Sequence, residues 1–369
     1  MNTEVAKVDI NLSPAEILGS DAVIKATRLL QQGEVVAIPT ETVYGLAADC
    51  FNPDAVAKIF AAKGRPHDNP LIVHISEHKD IYRVTPRPIK EMAFELITRF
   101  WPGPLTIILP KKEELPHETT AGLDTVAVRM PSHPVTKAIL ARSGLILAAP
   151  SANSSGFPSP TRANHVLRDL NTKIPLIVDG GSCSVGLEST VVDLTGAEPV
   201  LLRPGGITSY QIEEVLGQKL KRQYEVEPDI SPKSPGLKYK HYSPRAEVFI
   251  IDGKSPALLW KEACQLKGRR ALLITTETAE KINDLLANSE LKDSEECADG
   301  KLEIFEMGSF KNPEIIARRL FALLRDMDNK GFETLLIEKI ADSGLGEAVM
   351  NRLMRAASKV IEPNNRSKE

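Results

Sequence analysis

The chain has 369 residues, 42% hydrophobic and 26% charged, enough for two domains of ordinary size with their own cores. Its 46 Lys and Arg against 49 Asp and Glu leave a formal net charge of -3, which argues against bulk electrostatic binding of nucleic acid while leaving room for a local basic cleft. No apolar run approaches the roughly 18 residues of a membrane span, and MNTEVAKVDI lacks the basic-then-apolar build of a signal peptide, so a globular cytoplasmic protein is expected.

Helical and strand patterns alternate from Ala22 to about Gly217. Val23, Ala26, Thr27 and Leu30 share one helical face with Gly33 as the stop, and VVAIP then reads as a buried strand. Asn52-Pro53 opens a second helix as an N-cap followed by proline at the first position, and Lys63-Gly64-Arg65 closes it. PLIVHI is the next strand. Ile89, Met92, Ala93, Leu96, Ile97 and Phe100 form the stripe of a third helix, after which LTIILP, TVAVRM, LILAAP, IPLIVD, STVVDL and VLLRP supply many short strands. That number exceeds the needs of a simple three-layer sandwich and predicts a large twisted mixed α/β sheet spanning 1–217.

Composition then changes. KLKRQYEVEPDISPKSPGLKYKHYSP is charged, punctuated by proline and without a period, which sets a linker at 218–245. Beyond it, AEVFIID, RRALLIT, LEIFEM and ETLLIEKI alternate strictly with helical patterns, predicting a smaller Rossmann-like parallel α/β domain over 246–369. Its GLGE, at Gly344 and Gly346, reads as following no strand in the manner of a dinucleotide fingerprint. Cys50, Cys183, Cys264 and Cys297 are far apart and form no C-x-x-C pair, so they read as small buried hydrophobes rather than as a zinc site or disulfide framework.

No Walker-type phosphate loop, H-E-x-x-H, G-x-S-x-G or kinase signature is present. Chemistry must therefore come from polar residues at strand and helix ends. In AKGRPHDNPLIVHI, Lys63 and Arg65 either complement a helix C-terminus or, with Pro66 and Pro70 stiffening the turn, present two cations and Asn69 to an anion. His74, on the strand beyond, reads equally well as a core histidine. LAAPSANSSGFPSPT runs a buried strand into a turn bearing Ser151, Asn153 and Ser159 ahead of a helix near Thr161, which is either simple turn chemistry or an anion nest. Thr40, Glu41 and Thr42 are too polar to continue the strand they follow. Arg129, Ser189, Thr190 and Arg203 sit at strand ends, and a buried-strand arginine needs an anion, either an internal carboxylate or a ligand. Several such arginines in one domain point toward a polyanionic substrate.

PTETVYGLAAD, KGRPHDNPL, WPGPLT, TAGLDTVAVRMP, APSANSSGFPSPT, GLESTVVDL and LLRPGGIT, in this order, closely resemble the YrdC-type domain of threonylcarbamoyl-AMP synthases. KYKHYSP and GLGEAVMNRLMRAA resemble the longer, two-domain form of that family. The resemblance implies an enzyme that joins L-threonine, bicarbonate and ATP into threonylcarbamoyl-adenylate and pyrophosphate, with Mg2+ on the phosphates and no organic cofactor. A separate transferase then uses the product to modify the adenosine beside the tRNA anticodon. It further implies that Lys63, Arg65, Ser151 and Asn153 act on the ATP phosphates, with Asn69, Thr120, Ser159 and Arg203 lining the nucleotide. Thr40, His74, Arg129 and Ser189 would hold threonine. A guanidinium suits threonine's planar carboxylate better than an ammonium does, and short polar groups suit its hydroxyl and amine.

A carbamate and a mixed anhydride are both lost if water reaches them, so the site should close during reaction. The linker is expected to act as the lid, with Lys238 and Lys240 meeting phosphate and Tyr239, His241 and Tyr242 packing over the nucleotide. Two other readings compete. An RNA-binding module would present clustered aromatics interleaved with Lys and Arg, which this sequence does not have, and no stable nucleic-acid binding is expected. Carbamoyl transfer of the hydrogenase-maturation type resembles much larger chains whose zinc-finger and acylphosphatase-like parts are not visible here.

Overall fold

The computed structural model describes residues 2–224, 242–252, 255–291 and 302–361. They form two compact units, Met1–Ser155 with Ser159–Tyr239, and Gly156–Pro158 with Lys240–Glu369.

Among the described residues, the first unit holds an eleven-stranded mixed sheet. Its spatial order is Glu4–Lys7, Leu176–Asp179, Val36–Ile38, Gly45–Asp49, Leu147–Ala148, Ile72–His74, Thr125–Arg129, Leu105–Pro110, Thr190–Asp193, Val200–Arg203 and Lys221–Arg222. Strands near its middle are apolar on both faces because both faces are covered. Val36 and Ile38 join one core with Val23, Leu30 and Ile139, while Ala37 joins the opposite core with Ile59, Leu96 and Val166. The predicted helix after Asn52 spans Pro53–Lys63: the Asn52 side chain accepts from the Ala55 N–H at 3.1 Å, and Gly64 stops the helix at φ 60°. Left-handed backbone of this kind is costly for any residue with a Cβ. Lys63 is thereby set in the last turn and Arg65 just outside it.

Several expectations need correction. The third helix covers Glu91–Phe100, so Ile89 precedes it, and Met92 is only half-buried. Gly45–Asp49, within PTETVYGLAAD, is a strand that the polar residues before it concealed. Glu4–Lys7 is a strand at the sheet's edge and largely exposed, so it carries no apolar alternation to read. The first domain runs past residue 217, since Lys221–Arg222 pairs in parallel with Val200–Leu201. Both residues are polar and exposed, which hid the strand.

In the second unit, five strands lie in the order Leu302–Gly308, Arg270–Thr275, Thr334–Glu338, Glu247–Ile251 and Lys359–Ile361, every pair parallel. GLGE does follow a strand: Thr334–Glu338 ends shortly before it, and Gly344 caps the helix Leu345–Ala356. Cys264 is disulfide-bonded, against the expectation of four small buried thiols. Sequence spacing alone cannot report two thiols meeting in space. Among the described residues, no helix is long and apolar enough to cross a membrane.

Candidate active site

Strand alternation places the first group of side chains. Ile72, Ile108, Ala127, Val191 and Leu202 form a small apolar cluster on one face of the sheet. His74, Thr106, Arg129 and Ser189 are each two residues from a member of that cluster, so each projects from the same face. Register brings them level, because Arg129 stands opposite His74 on one side and Thr106 on the other. Arg203 would point to the other face by simple alternation, but a register irregularity between Leu201 and Arg203 breaks the period. Arg203 Nε donates to the Ser189 carbonyl and Nη2 to Ser189 Oγ, each at 3.1 Å. Ser189 Oγ is also 2.7 Å from Thr106 Oγ1.

Arg129 is the hub, and its anion is Glu41. Nη2 donates to Glu41 Oε1 at 2.6 Å, Nη1 to Thr42 Oγ1 at 2.8 Å and Nε to the Gly103 carbonyl at 3.3 Å. Of the two anions open to a buried arginine, the internal carboxylate is present, and it neutralises a guanidinium that is only 4% exposed. Three of its five N–H groups are used in this way. Among the described residues, the second N–H on each of Nη1 and Nη2 has no partner. Thr40 completes the cluster, with its Oγ1 2.8 Å from Thr42 Oγ1 and donating to the Val43 carbonyl at 2.6 Å.

These contacts set the charges. Burial raises the Glu41 carboxyl, but the Arg129 charge and its hydrogen bond outweigh that and hold it below the usual carboxylate range. Burial, reinforced by Arg129, lowers the His74 imidazole to about 3. It is neutral near pH 7, and Nδ1 donates to the Ile72 carbonyl at 3.1 Å.

A second group gathers where helix Pro53–Lys63 ends. Lys63 Nζ donates to the Ser151 and Asn153 carbonyls at 2.5 and 2.6 Å, and Arg65 Nη2 to the Asn69 and Pro70 carbonyls, both at 3.2 Å. The K-x-R and S-x-N motifs, nearly ninety positions apart, are thus joined directly. Thr120 is brought beside them by the Leu71 N–H, which donates to the Thr119 carbonyl at 3.0 Å. Asn69 Oδ1 and Thr120 Oγ1 are buried, and neither has a hydrogen-bond partner among the described residues. Buried acceptors and hydroxyls are normally satisfied, so this pair suits a bound polar group.

The stretch Thr40–Gly45 joins the two groups. Thr40, Glu41 and Thr42 belong to the Arg129 cluster, whereas Gly45 bridges to Ser151, and the Tyr44 carbonyl accepts from the Ala152 N–H at 2.7 Å. Ser159 donates to Glu188 Oε1 at 2.5 Å, beside Ser189. The sequence reading had no role for Glu41, Thr42, Thr106 or Glu188. A carboxylate between two threonines directly after a buried strand was the available signal for Glu41; Thr106, lying inside an apolar strand, offered none.

The linker residues expected to meet the nucleotide fall into two groups. Lys238, Tyr239, Lys240 and His241 lie outside the described residues. Tyr242 is 5% exposed and stacks on Phe321 of the second unit, ring centroids 5.2 Å apart, with Arg352 over its ring. An aromatic ring with an apolar partner nearby is drawn against it.

Comparison with known proteins gives consistent matches. Residues 28–205 match the Sua5_yciO_yrdC family model, described as telomere recombination, and residues 207–358 match the model for the C-terminal domain of threonylcarbamoyl-AMP synthase. The threonylcarbamoyl-AMP synthase of Pyrococcus abyssi is 43% identical over 338 residues, covering 90% of this chain and 93% of its own. That of Bacillus subtilis is 46% identical over 338 residues, covering 91% and 92%. The crystal structure of P. abyssi Sua5 complexed with L-threonine aligns with a TM-score of 0.82 at 40% identity, covering 98% of this chain and 99% of that one.

Proposed function

The chain belongs to the threonylcarbamoyl-AMP synthase family in its two-domain form, and on that premise we propose how its residues divide the reaction. The enzyme is an AMP-transferring synthase of tRNA threonylcarbamoyladenosine modification that uses L-threonine and ATP. Bicarbonate supplies the carbamoyl carbon. Threonine's amine forms an N–C bond to the bicarbonate carbon while a C–O bond breaks and water leaves, giving a carbamate; one carbamate oxygen then attacks the α-phosphorus, and pyrophosphate leaves with the P–O bond electrons. Little covalent help is needed, so positioning and charge stabilisation dominate.

Threonine lies over the Arg129 cluster. The two remaining N–H groups of Arg129 take its carboxylate in a two-pronged grip, with Glu41 holding the guanidinium plane in place. Thr40, Ser189 and neutral His74 meet the hydroxyl and amine. The triphosphate lies over the second group, where Lys63 and Arg65 offset the charge that develops as pyrophosphate departs. Asn69, Thr120, Ser159 and Arg203 line the nucleotide beside Ser151 and Asn153. Mg2+ is assigned to the phosphate oxygens and arrives with ATP, where it screens their charge. Among the described residues, no group of three or more His, Cys, Asp or Glu side chains is placed to hold a metal ion. The product is a hydrolysable mixed anhydride, so it passes directly to a tRNA-modifying transferase, in the cytoplasm where tRNA is met.

The observation that carries this reading is the Thr40–Gly45 stretch, which touches Arg129 through Thr42 and Ser151 through Gly45. An amino acid at one group is thereby set beside phosphates at the other. Lys63→Ala and Arg65→Ala are each expected to lower threonine- and bicarbonate-dependent pyrophosphate release by roughly a hundredfold. Mass spectrometry of the product should give threonylcarbamoyl-adenylate. Wild-type release from both variants would remove these cations from the mechanism.

A further inference from the structure

The second unit contains a crevice that the synthase reaction leaves without a role. Strands Arg270–Thr275 and Thr334–Glu338 are neighbours, yet the chain leaving the first runs outward to Leu302–Gly308 and the chain leaving the second runs the other way, to Lys359–Ile361. Helices Pro256–Gln265 and Thr276–Ala287 pack together, as do Pro313–Asn329 and Leu345–Ala356. Right-handed crossovers put these pairs on opposite faces. The connections therefore diverge at the carboxyl ends of two adjacent parallel strands, the place where open α/β sheets hold small ligands. A cavity of about 410 Å³ opens there, within the usual range for such sites.

Its lining has a directional chemistry. Thr275 donates both its N–H and its hydroxyl to Glu338 Oε2, at 2.7 and 3.0 Å, and Thr278 donates its hydroxyl to Glu338 Oε1 at 2.7 Å. With the hydroxyl protons turned inward, the floor presents lone pairs and accepts hydrogen bonds. A ligand must bring donors to it. Lys281, also lining the cavity, is exposed and has no ion-pair partner among the described residues, whereas Lys339 is held by Asp252 at 2.9 Å. Gly346 brings the first turn of the twelve-residue helix Leu345–Ala356 to the same cavity, and no side chain caps that turn. The Gly346 N–H donates to the Ser343 carbonyl at 3.0 Å, so it is the helix dipole and the other N–H groups of that turn that favour an anion. Phe310, 58% exposed, forms part of the wall.

We propose that this crevice is a second ligand site, built for a nucleoside monophosphate. The ribose diol donates to Glu338 and its threonines, the phosphate sits between Lys281 and the first turn of helix Leu345–Ala356, and the base lies on Phe310. GLGE then has a purpose: it carries the helix end to the phosphate.

Peptide-resolved hydrogen exchange on the full chain tests this with AMP as the probe, and it separates the crevice from any AMP bound in the first unit. AMP should slow exchange across 275–281 and 338–346, and adenosine or inorganic phosphate alone should do so much less. Lys281→Glu should weaken the AMP effect roughly tenfold, and Ser343→Trp, which fills the mouth, should abolish it. Both sites are exposed, and unchanged melting would show that both variants fold. Absence of AMP protection, protection surviving both variants, equal protection by phosphate alone, or protection by L-threonine instead would each overturn the proposal. None of these readouts depends on synthase activity.

Discussion

Arg129 and Glu41 show how a buried charge can serve a ligand without being left bare. Their ion pair is 2.6 Å long, with side chains 5% and 7% exposed. Removing one partner strands the other in low dielectric, so Glu41→Ala should lower the urea-unfolding free energy by roughly 3–5 kcal/mol. Glu41→Ala combined with Arg129→Met should recover part of that loss, because no uncompensated charge remains. His74 has a separate signature. Its folded-state pKa of about 3 lies below the ordinary 6.5, so the stability it contributes is fully present above pH 6.5. That contribution is lost as pH falls toward 3, at up to about 1.4 kcal/mol per pH unit. Subtracting the unfolding free energies of His74→Asn from those of wild type, pH by pH, should isolate this slope between pH 6.5 and 5. A flat difference would mean that His74 is not held neutral. Glu41, lowered from 4.5, loses its contribution only at more acid pH.

At the scale of elements, two glycines do different work. Gly64 ends its helix at φ 60° with nothing within 4 Å of where a Cβ would stand, so Gly64→Ala should cost only about 1 kcal/mol, through backbone strain. Gly205 follows the strand that bears Arg203, and a Cβ there would lie 2.4 Å from both the Glu188 carbonyl oxygen and the Thr190 nitrogen. Backbone cannot step aside as a side chain can. Gly205→Ala should therefore cost roughly 1–3 kcal/mol and also depress pyrophosphate release, because the strain falls on the segment that aligns Ser189 with Arg203. Paired denaturation and turnover assays distinguish the two: Gly64→Ala should lose stability while retaining most activity.

For the whole molecule, the decisive feature is that the two units have separate cores, Val56, Ile107 and Val192 belonging to one and Leu259, Ile274 and Leu336 to the other. Calorimetry should resolve more than one unfolding transition rather than a single two-state event. ATP with threonine should raise the transition of the first unit alone, by about 2.7 kcal/mol for each ligand held near a hundred times its dissociation constant, roughly 5.4 kcal/mol for the two. A single transition that moves as one body would show that the units unfold cooperatively.

By itself the sequence determined the two-part organisation, most element types, the helix stop that sets out Lys63 and Arg65, and, through long motifs, the family. These are local properties: periodicity, caps and short polar turns act over a few residues and can be read where they stand. Tertiary structure alone decided that Arg129 is neutralised by Glu41, that Thr106 backs Ser189, and that Lys63 holds the Ser151–Asn153 turn. It also decided that a break in strand register lets Arg203 reach Ser189, that GLGE opens a crevice and that Tyr242 belongs to a core. The reason is physical: sheet order and register bring together residues tens of positions apart, and no local pattern records which distant partner a buried charge or ring will find.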